Sequence, residues 1–262
     1  MIPKTIHYVW FGGGEFSELQ LHCIDSWKKY LPEYELIRWD ESNFDICMNR
    51  YCKEASEERK WAFVSDYVRL WALVNYGGIY MDTDVEILAP LDRFLEHEAF
   101  SGFESDTQIP TGLMAAEANQ PLFEELLADY DSRIFRNENG SLNLTTNVVY
   151  ITETCNKYGF IANNQFQVVK GFALYPNDYF CPKSHQTGEI QITGNTYAIH
   201  HFDGSWLPDD QKGLSRAKQD IKRKHPNLPT GIVKILSWIL YLWKTKNYKA
   251  LTSRINIKFK PR

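Results

Sequence analysis

The chain has 262 residues, 44% of them hydrophobic and 24% charged, which excludes a disordered or fibrous protein and leaves material for a sizeable core. Five cysteines (Cys23, Cys47, Cys52, Cys155, Cys181) form no C-x-x-C pair, which argues against a zinc site and for a reducing compartment. The formal charge of −4 is unevenly spread: residues 211–262 carry +13 and the first 210 residues −17.

Met1-Ile2-Pro3-Lys4 runs straight into a strand-like segment, with no charged region ahead of an apolar core, so no secretory leader is expected. Thr5 to Trp10 reads as the first strand, ending in the loop Phe11-Gly12-Gly13-Gly14. The glycines let a backbone approach a ligand, but no Gly-Lys-Ser/Thr follows, so this is not a P-loop. Glu18 to Leu31 has the periodicity of an amphipathic helix, and Leu36 to Trp39 reads as the second strand. Residues 41–60 are polar and helical in character.

The most informative stretch is Ser65 to Leu88, SDYVRLWALVNYGGIYMDTDVEIL. Ser65 reads as an N-cap, Tyr67 to Tyr76 as a helix buried on most sides, and Gly77-Gly78 as its end. Ile79-Tyr80-Met81 is then a short buried strand running back beside that helix. Helical spacing puts Asp66 and Arg69 on one face. Alternation puts Tyr80, Asp82 and Asp84 on one face if the strand stays extended. Three carboxylates, a guanidinium and a phenol are thus expected at one end of a strand–helix layer, where open α/β sheets bind ligands.

Asp-Thr-Asp at 82–84 has three readings. It is a solvated turn, a phosphotransferase strand with Asp82 as nucleophile, or a carboxylate site for Mg²⁺ or Mn²⁺. The second wants Thr or Val two residues past the second Asp, where Glu86 stands.

Later elements are a short helix from Ala89-Pro90-Leu91, strands at 99–103 and 111–116, and a helix from Pro121 to Tyr130. A polar loop follows, then a helix opening at Thr145-Thr146-Asn147 with Asn147 as an ordinary N-cap, and a strand at 172–176. In Tyr197 to Trp206 two adjacent histidines, His200 and His201, must face opposite ways on a strand, so one of them points at any given site.

The residues SDYVRLW and GGIYMDTD resemble the signature S-D-x-x-R…G-G-x-Y-x-D-x-D of family 32 glycosyltransferases. That family includes yeast α-mannosyltransferases and bacterial capsule and lipopolysaccharide enzymes, and the large glucosylating toxins share its core. The opening Ile2-Pro3-Lys4-Thr5-Ile6-His7, Ser26-Trp27 and Pro32 to Glu35 match it too. The resemblance implies a GT-A type α/β fold with a mainly parallel mixed sheet, and a metal-dependent retaining hexosyltransferase using a nucleotide sugar. UDP-hexose is the favoured donor, with GDP-mannose an alternative. The acceptor implied is a lipid-linked glycan of capsular polysaccharide or lipopolysaccharide type. A toxin-like protein glycosylase and an inactive carbohydrate-binding module remain as alternatives.

By the same resemblance Asp66, Arg69, Asp82 and Asp84 are the catalytic set. Trp10 is a platform for the base, or else a core residue at the sheet edge. Tyr80, Asn147, Ser205 and Trp206 are donor contacts. The pattern His201-Phe202-Asp203-Gly204 resembles the late His-x-x-Gly element of retaining A-type glycosyltransferases, which implies His201 as the third ligand, with Asp82 and Asp84, of Mn²⁺ or Mg²⁺.

Residues 1–210 form the expected catalytic domain and 211–262 a basic, amphipathic extension. Its 14 Lys/Arg and one acid call for an anionic partner, and no nucleic-acid motif accompanies them. On a helix, Lys234, Ser237, Tyr241 and Lys244 form a polar stripe opposite a broad apolar face. Flanking cations run from Lys222 to Lys224 and through Lys244, Lys246 and Lys249. The expectation is a cytoplasmic protein held on the inner face of the plasma membrane by an interfacial helix and anionic lipid.

Overall fold

The computed structural model describes residues 1–109, 112–204 and 209–245. Ser205, Trp206, Lys246 and Lys249 lie outside the described residues, as does Thr111. The chain divides into two compact units: Met1–Pro182 with Gln191–Phe202, and Lys183–Ile190 with Asp203–Arg262. The sequence reading drew its boundary after residue 210.

The first unit is built on a seven-stranded sheet. Its strands are β1 (Thr5–Val9), β2 (Glu35–Trp39), β3 (Gly78–Met81), β5 (Ala99–Gly102), β6 (Leu113–Ala116), β7 (Gln167–Val169) and β8 (Phe172–Tyr175). The order is β2-β1-β3-β6-β5-β8-β7, and β6 and β7 run against the other five. The expected α/β class with a mainly parallel mixed sheet is what the chain adopts. Two further strands, β4 (Val85–Ile87) and β9 (Ala198–His200), pair antiparallel as a separate two-stranded sheet.

Helix α1 (Glu18–Tyr30) carries the chain from β1 to β2. A capping box starts it: Ser17 Oγ accepts from Gln20 N, and Gln20 Oε1 accepts from Ser17 N. Helices α2 (Arg50–Glu57) and α3 (Trp61–Tyr76) follow β2. In the order β2-β1-β3-β6 the chain leaves the carboxyl end of β1 toward β2 and that of β3 toward the other side of the sheet. That is the switch point at which such sheets hold ligands.

Helix α3 begins four residues before Ser65, which corrects the expected N-cap. Trp61, Phe63 and Val64 extend the apolar surface backward, with Phe63 and Val64 buried and Trp61 stacked on Phe11. Ser65 Oγ donates instead to Ala62 O at 2.7 Å. The helix ends where expected, at Gly77 with φ +66°. Gly78 follows at φ +107°, and a Cβ there would stand 2.6 Å from Thr5 O. Only glycine lets β3 enter the sheet beside β1 at that distance.

His7 fastens the same corner. Its Nε2 donates to Gly77 O at 2.8 Å, and its Nδ1 accepts from Trp39 Nε1 at 3.2 Å. Acceptance at Nδ1 requires the neutral ring, and burial lowers the His7 pKa, opposed in part by the Gly77 carbonyl.

Beyond β6, α4 (Pro121–Ala128), α5 (Asn147–Asn156) and the one-turn α6 (Asn177–Phe180) complete the first unit. Asn147 is the first residue of α5 and Thr146 its cap, so the N-cap reading is corrected by one residue. The second unit holds α7 (Asp209–Lys224) and α8 (Thr230–Thr245), which pack against each other.

Candidate active site

The site begins with a buried charge problem inside α3. Arg69 is 4% exposed and surrounded by compensating groups. Its Nη2 lies 3.1 Å from Asp66 Oδ1 and 3.2 Å from Asp82 Oδ1, and also donates to Ser65 Oγ at 3.0 Å. Its Nε donates to Ser65 O at 3.1 Å, one helical turn back. The guanidinium lies over the Tyr80 ring, 4.5 Å from its centroid. Tyr80 in turn donates its hydroxyl proton to Asp82 Oδ1 at 2.7 Å.

This arrangement divides the Asp82 carboxylate. Oδ1 is held by Arg69 and Tyr80, which leaves Oδ2 turned toward other partners. Burial pushes Asp66 up to about 6, and the Arg69 charge offsets part of that rise. Burial raises Asp82 as well, again opposed by Arg69. Burial disfavours the charge on Arg69, but Asp82, Tyr80 and Asp66 outweigh it, so its pKa is raised and it stays protonated. The expected grouping of Asp66, Arg69, Tyr80 and Asp82 is therefore present.

Asp82 and Asp84 come together by a different route from the one expected. The strand stops at Met81, and Val85 N donates to Asp82 O at 3.0 Å, closing a tight turn. Asp82 N donates to Gly112 O at 2.7 Å, tying the turn to the residue ahead of β6. From Val85 the chain is held by α1. Trp27 Nε1 donates to Val85 O at 2.7 Å, and Ile87 N donates to Ser26 Oγ at 2.9 Å. Ser26 and Trp27, read as scaffold, fasten the strand that follows the two aspartates.

Strand β9 brings the histidine, and it is His200 rather than His201. His200 Nε2 lies 3.5 Å from Asp84 Oδ1 and 3.9 Å from Asp82 Oδ2. Ligand atoms of Asp82, Asp84 and His200 all lie within 4.8 Å of one another. The expected choice of His201 is corrected by this convergence, and strand parity sets His201 beside Glu86 instead. β9 pairs with β4 so that Val85 faces His200 and Glu86 faces Ile199. Residues 199 and 201 share a face, so His201 stands with Glu86, and its Nε2 meets Glu86 Oε2 at 2.8 Å. His22 of α1 approaches the other Glu86 oxygen at 3.1 Å. Burial opposes protonation of His200, but the Asp84 carboxylate outweighs it and holds its pKa well above the usual value. Gly112 leaves room for the His200 ring, since a Cβ there would lie 2.8 Å from Nδ1.

A second polar group surrounds Asp66 from the far side. Asn147 Nδ2 donates to Asp66 O at 3.2 Å, which holds this residue beside Asp66. Tyr51 and Tyr130 meet edge to face at 5.0 Å, and the Arg133 guanidinium lies 4.6 Å from the Tyr130 centroid and pairs with Asp129. The hydroxyls of Tyr51 and Tyr130, Arg133 Nη1 and Asn147 Oδ1 are buried without a hydrogen-bond partner among the described residues. Tyr51, Tyr130 and Arg133 were not singled out from the sequence. Tyr130 and Arg133 share a helical spacing of three, but no spacing links residue 130 to residue 66.

Trp10 follows the carboxyl end of β1, half-buried, its Nε1 donating to Gly14 O at 2.7 Å and its ring 4.3 Å from that of Phe16. It is therefore at the ligand-binding edge of the sheet, one strand away from Asp82.

Two carboxylates and an imidazole with converging oxygen and nitrogen atoms fit a divalent cation of the Mn²⁺ or Mg²⁺ kind. The Asp82 oxygen not facing them is already fixed by Arg69 and Tyr80, as an outer support of a ligand should be.

Comparison with known proteins agrees with this geometry. Residues 17–101 match the model of the glycosyltransferase sugar-binding region containing a DXD motif. Inositol phosphoceramide mannosyltransferase 3 of Schizosaccharomyces pombe is 30% identical over 134 residues, 48% of this chain and 36% of that protein. An uncharacterised glycosyltransferase of Acanthamoeba polyphaga mimivirus is 24% identical over 228 residues, 79% of this chain and 85% of that one. The chain thus spans about a third of the length of the yeast relatives it matches. Among solved structures, the PaToxG glycosyltransferase aligns with TM-score 0.49 at 21% identity, covering 60% of this chain and 69% of that one. The galactosyltransferase LgtC aligns with TM-score 0.41 at 10% identity, covering 87% and 98%. The resemblance read from the motif residues is borne out across residues 17–101.

Proposed function

We propose that this chain, which carries a glycosyltransferase sugar-binding region with its DXD motif, transfers a hexose from a nucleotide sugar to an acceptor hydroxyl. The observation that carries the reading is the divided Asp82 carboxylate: one oxygen fixed by Arg69 and Tyr80, the other facing Asp84 and His200. Asp82, Asp84 and His200 would hold Mn²⁺ or Mg²⁺. When bound, the cation supplies neutralisation of the charge that develops on the departing diphosphate. Arg69 favours the charged form of Asp82 against the effect of burial and orients it before the donor arrives, so little reorganisation is needed during reaction.

Asp66 and Arg69 would accept from and donate to the sugar's hydroxyls. The buried, unpartnered oxygens of Tyr51, Tyr130 and Asn147 beside Asp66 fit a hydroxyl-bearing ring better than a phosphate, because each can accept as well as donate or is an acceptor outright. Trp10, after β1, is placed for the base, and the favoured donor is a UDP-hexose, with GDP-mannose second. Ser205 and Trp206 remain part of the proposal as diphosphate contacts. A GT-A type fold and retention at the anomeric carbon follow from the family resemblance.

The proposed acceptor is a growing glycan on a lipid carrier, of capsule or lipopolysaccharide type. Its support is that the yeast relatives are named for a lipid acceptor, inositol phosphoceramide. The free thiols of Cys47, Cys52, Cys155 and Cys181 suit a cytoplasmic location. The test is hydrolysis and thermal stabilisation across a panel of nucleotide sugars with Mn²⁺. One donor should raise the melting temperature in a metal-dependent way and be slowly hydrolysed, and Asp84→Asn should lose both effects. Equal stabilisation with and without metal, or in Asp84→Asn, overturns the metal reading.

A further inference from the structure

The second unit presents an amphipathic helix the wrong way round for a water-soluble surface. Helix α8 has buried positions at Val233, Ser237 and Leu242. Tyr241 lies against Gly213 of α7 so closely that a Cβ there would stand 2.5 Å from its ring. Ser237 and Tyr241, the middle of the polar stripe, are therefore on the packed side of α8, while Lys234 and Lys244 stay exposed. Ile232, Ile235, Leu236, Ile239 and Trp243 are exposed instead, at 45%, 63%, 38%, 57% and 69%. At 100° per residue these five fall within an arc of about 100°, one continuous apolar band along the helix.

The segment that carries the band is cationic. Lys222, Arg223 and Lys224 close the last turn of α7, and Lys234 and Lys244 lie on α8. Asp220, the sole acid of residues 211–262, is engaged by Arg223 at 2.6 Å and Lys244 at 3.1 Å. The sequence then adds six more Lys/Arg and no acid over residues 246–262. Lys222 Nζ donates to Pro226 O and Leu228 O at 3.1 and 3.0 Å, which fixes the turn between the helices. An exposed apolar band with a tryptophan at one end, on a segment with a formal +13, is complementary to one kind of surface: an apolar interior beneath anionic headgroups. No helix among the described residues is long and apolar enough to cross a bilayer.

We propose that α8 lies in the plane of an anionic membrane, with Ile232, Ile235, Leu236, Ile239 and Trp243 inserted at headgroup depth. The lysines and arginines of α7 and the chain's end contact lipid phosphates. Both contributions are required. The apolar band alone is short, and the cations alone bind reversibly and weaken with salt.

The test uses the full chain and vesicle flotation, with phosphatidylglycerol-containing and pure phosphatidylcholine vesicles. The expected result is flotation with the anionic vesicles only, reduced by 0.5 M salt. The double variant Ile235→Asp, Ile239→Asp should lose about a hundredfold or more in partitioning, since each inserted isoleucine is worth roughly a factor of ten. Its melting temperature and its donor-dependent stabilisation should match the parent, because both positions are solvent-exposed and outside the active site. Two results overturn the proposal. One is equal flotation of parent and variant. The other is a dimer by light scattering that the variant dissociates without any vesicle binding, which would make the band an interface between copies. Neither readout depends on sugar transfer, so failure here leaves the enzymatic reading standing.

Discussion

Helices α3 and α8 are both sixteen residues long and both strongly apolar, yet the fold uses them in opposite senses. α3 buries nearly all of itself, including Ser65, Asp66 and Arg69, and turns those charges into the framework of a site. α8 buries Val233, Ser237 and Leu242 and leaves its isoleucines and a tryptophan in solvent. The difference teaches that apolar content alone does not decide what a helix is for. Inside the sheet-based unit, a buried ion pair is tolerated because Asp66, Asp82, Tyr80 and Ser65 together satisfy one guanidinium.

The largest effect is expected where that compensation is broken. Arg69→Met leaves Asp66 and Asp82 facing each other across a buried space and should cost about 3–5 kcal/mol in urea unfolding. A loss under 1 kcal/mol would mean that the carboxylates simply take up protons. Next, Asp84→Asn should lower kcat/KM roughly a thousandfold with little change in unfolding midpoint, and EDTA should do the same to the parent. Residual activity near the parent's level would remove the cation from the mechanism.

The two histidines sharpen the assignment. His200→Ala should weaken Mn²⁺-dependent donor binding by about 10–100-fold, while His201→Ala stays within a few-fold. The reverse ranking in calorimetry would restore His201 as the ligand. A smaller effect belongs to His7. Its folded pKa lies below the unfolded value of about 6.5, so the fold prefers the neutral ring. Its contribution is therefore complete above that pH and is lost as acidification passes from 6.5 toward the lowered folded value. The drop in melting temperature between pH 7 and 5 should be shallower in His7→Leu, despite a lower starting point. An unchanged slope would place the acid sensitivity elsewhere. The smallest effect is expected in α8: Ile239→Lys should shift stability by no more than about 0.5 kcal/mol, whereas Val233→Lys should cost several times that.

Much of this was legible in the residues. The strand–helix unit around 65–88, the helix stop at Gly77 and the grouping of Asp66, Arg69, Tyr80 and Asp82 come from local periodicity and spacing, which are short-range properties. The amphipathic character of α8 was equally plain, but which face meets α7 depends on Gly213 accepting the Tyr241 ring. The choice between His200 and His201 could not come from alternation, which says only that the two diverge. The register of β9 against β4 sets His201 beside Glu86, and the turn at residues 82–84 brings Asp84 to His200; both are relations between distant segments. Tyr51, Tyr130 and Arg133 were missed for the same reason, since they reach Asp66 only through packing.

The pairing of β4 with β9 also has a consequence in time. His201 meets Glu86 across 115 positions of chain, and His200 reaches Asp84 over a similar span. Strands β1 to β3, with the helix bearing Asp66 and Arg69, can assemble while the chain is still being synthesised, but the histidine of the cluster arrives only after residue 200 has emerged. A chain that stops short of residue 200 would thus carry the paired aspartates without the imidazole, so the cluster is completed only by a segment distant in sequence.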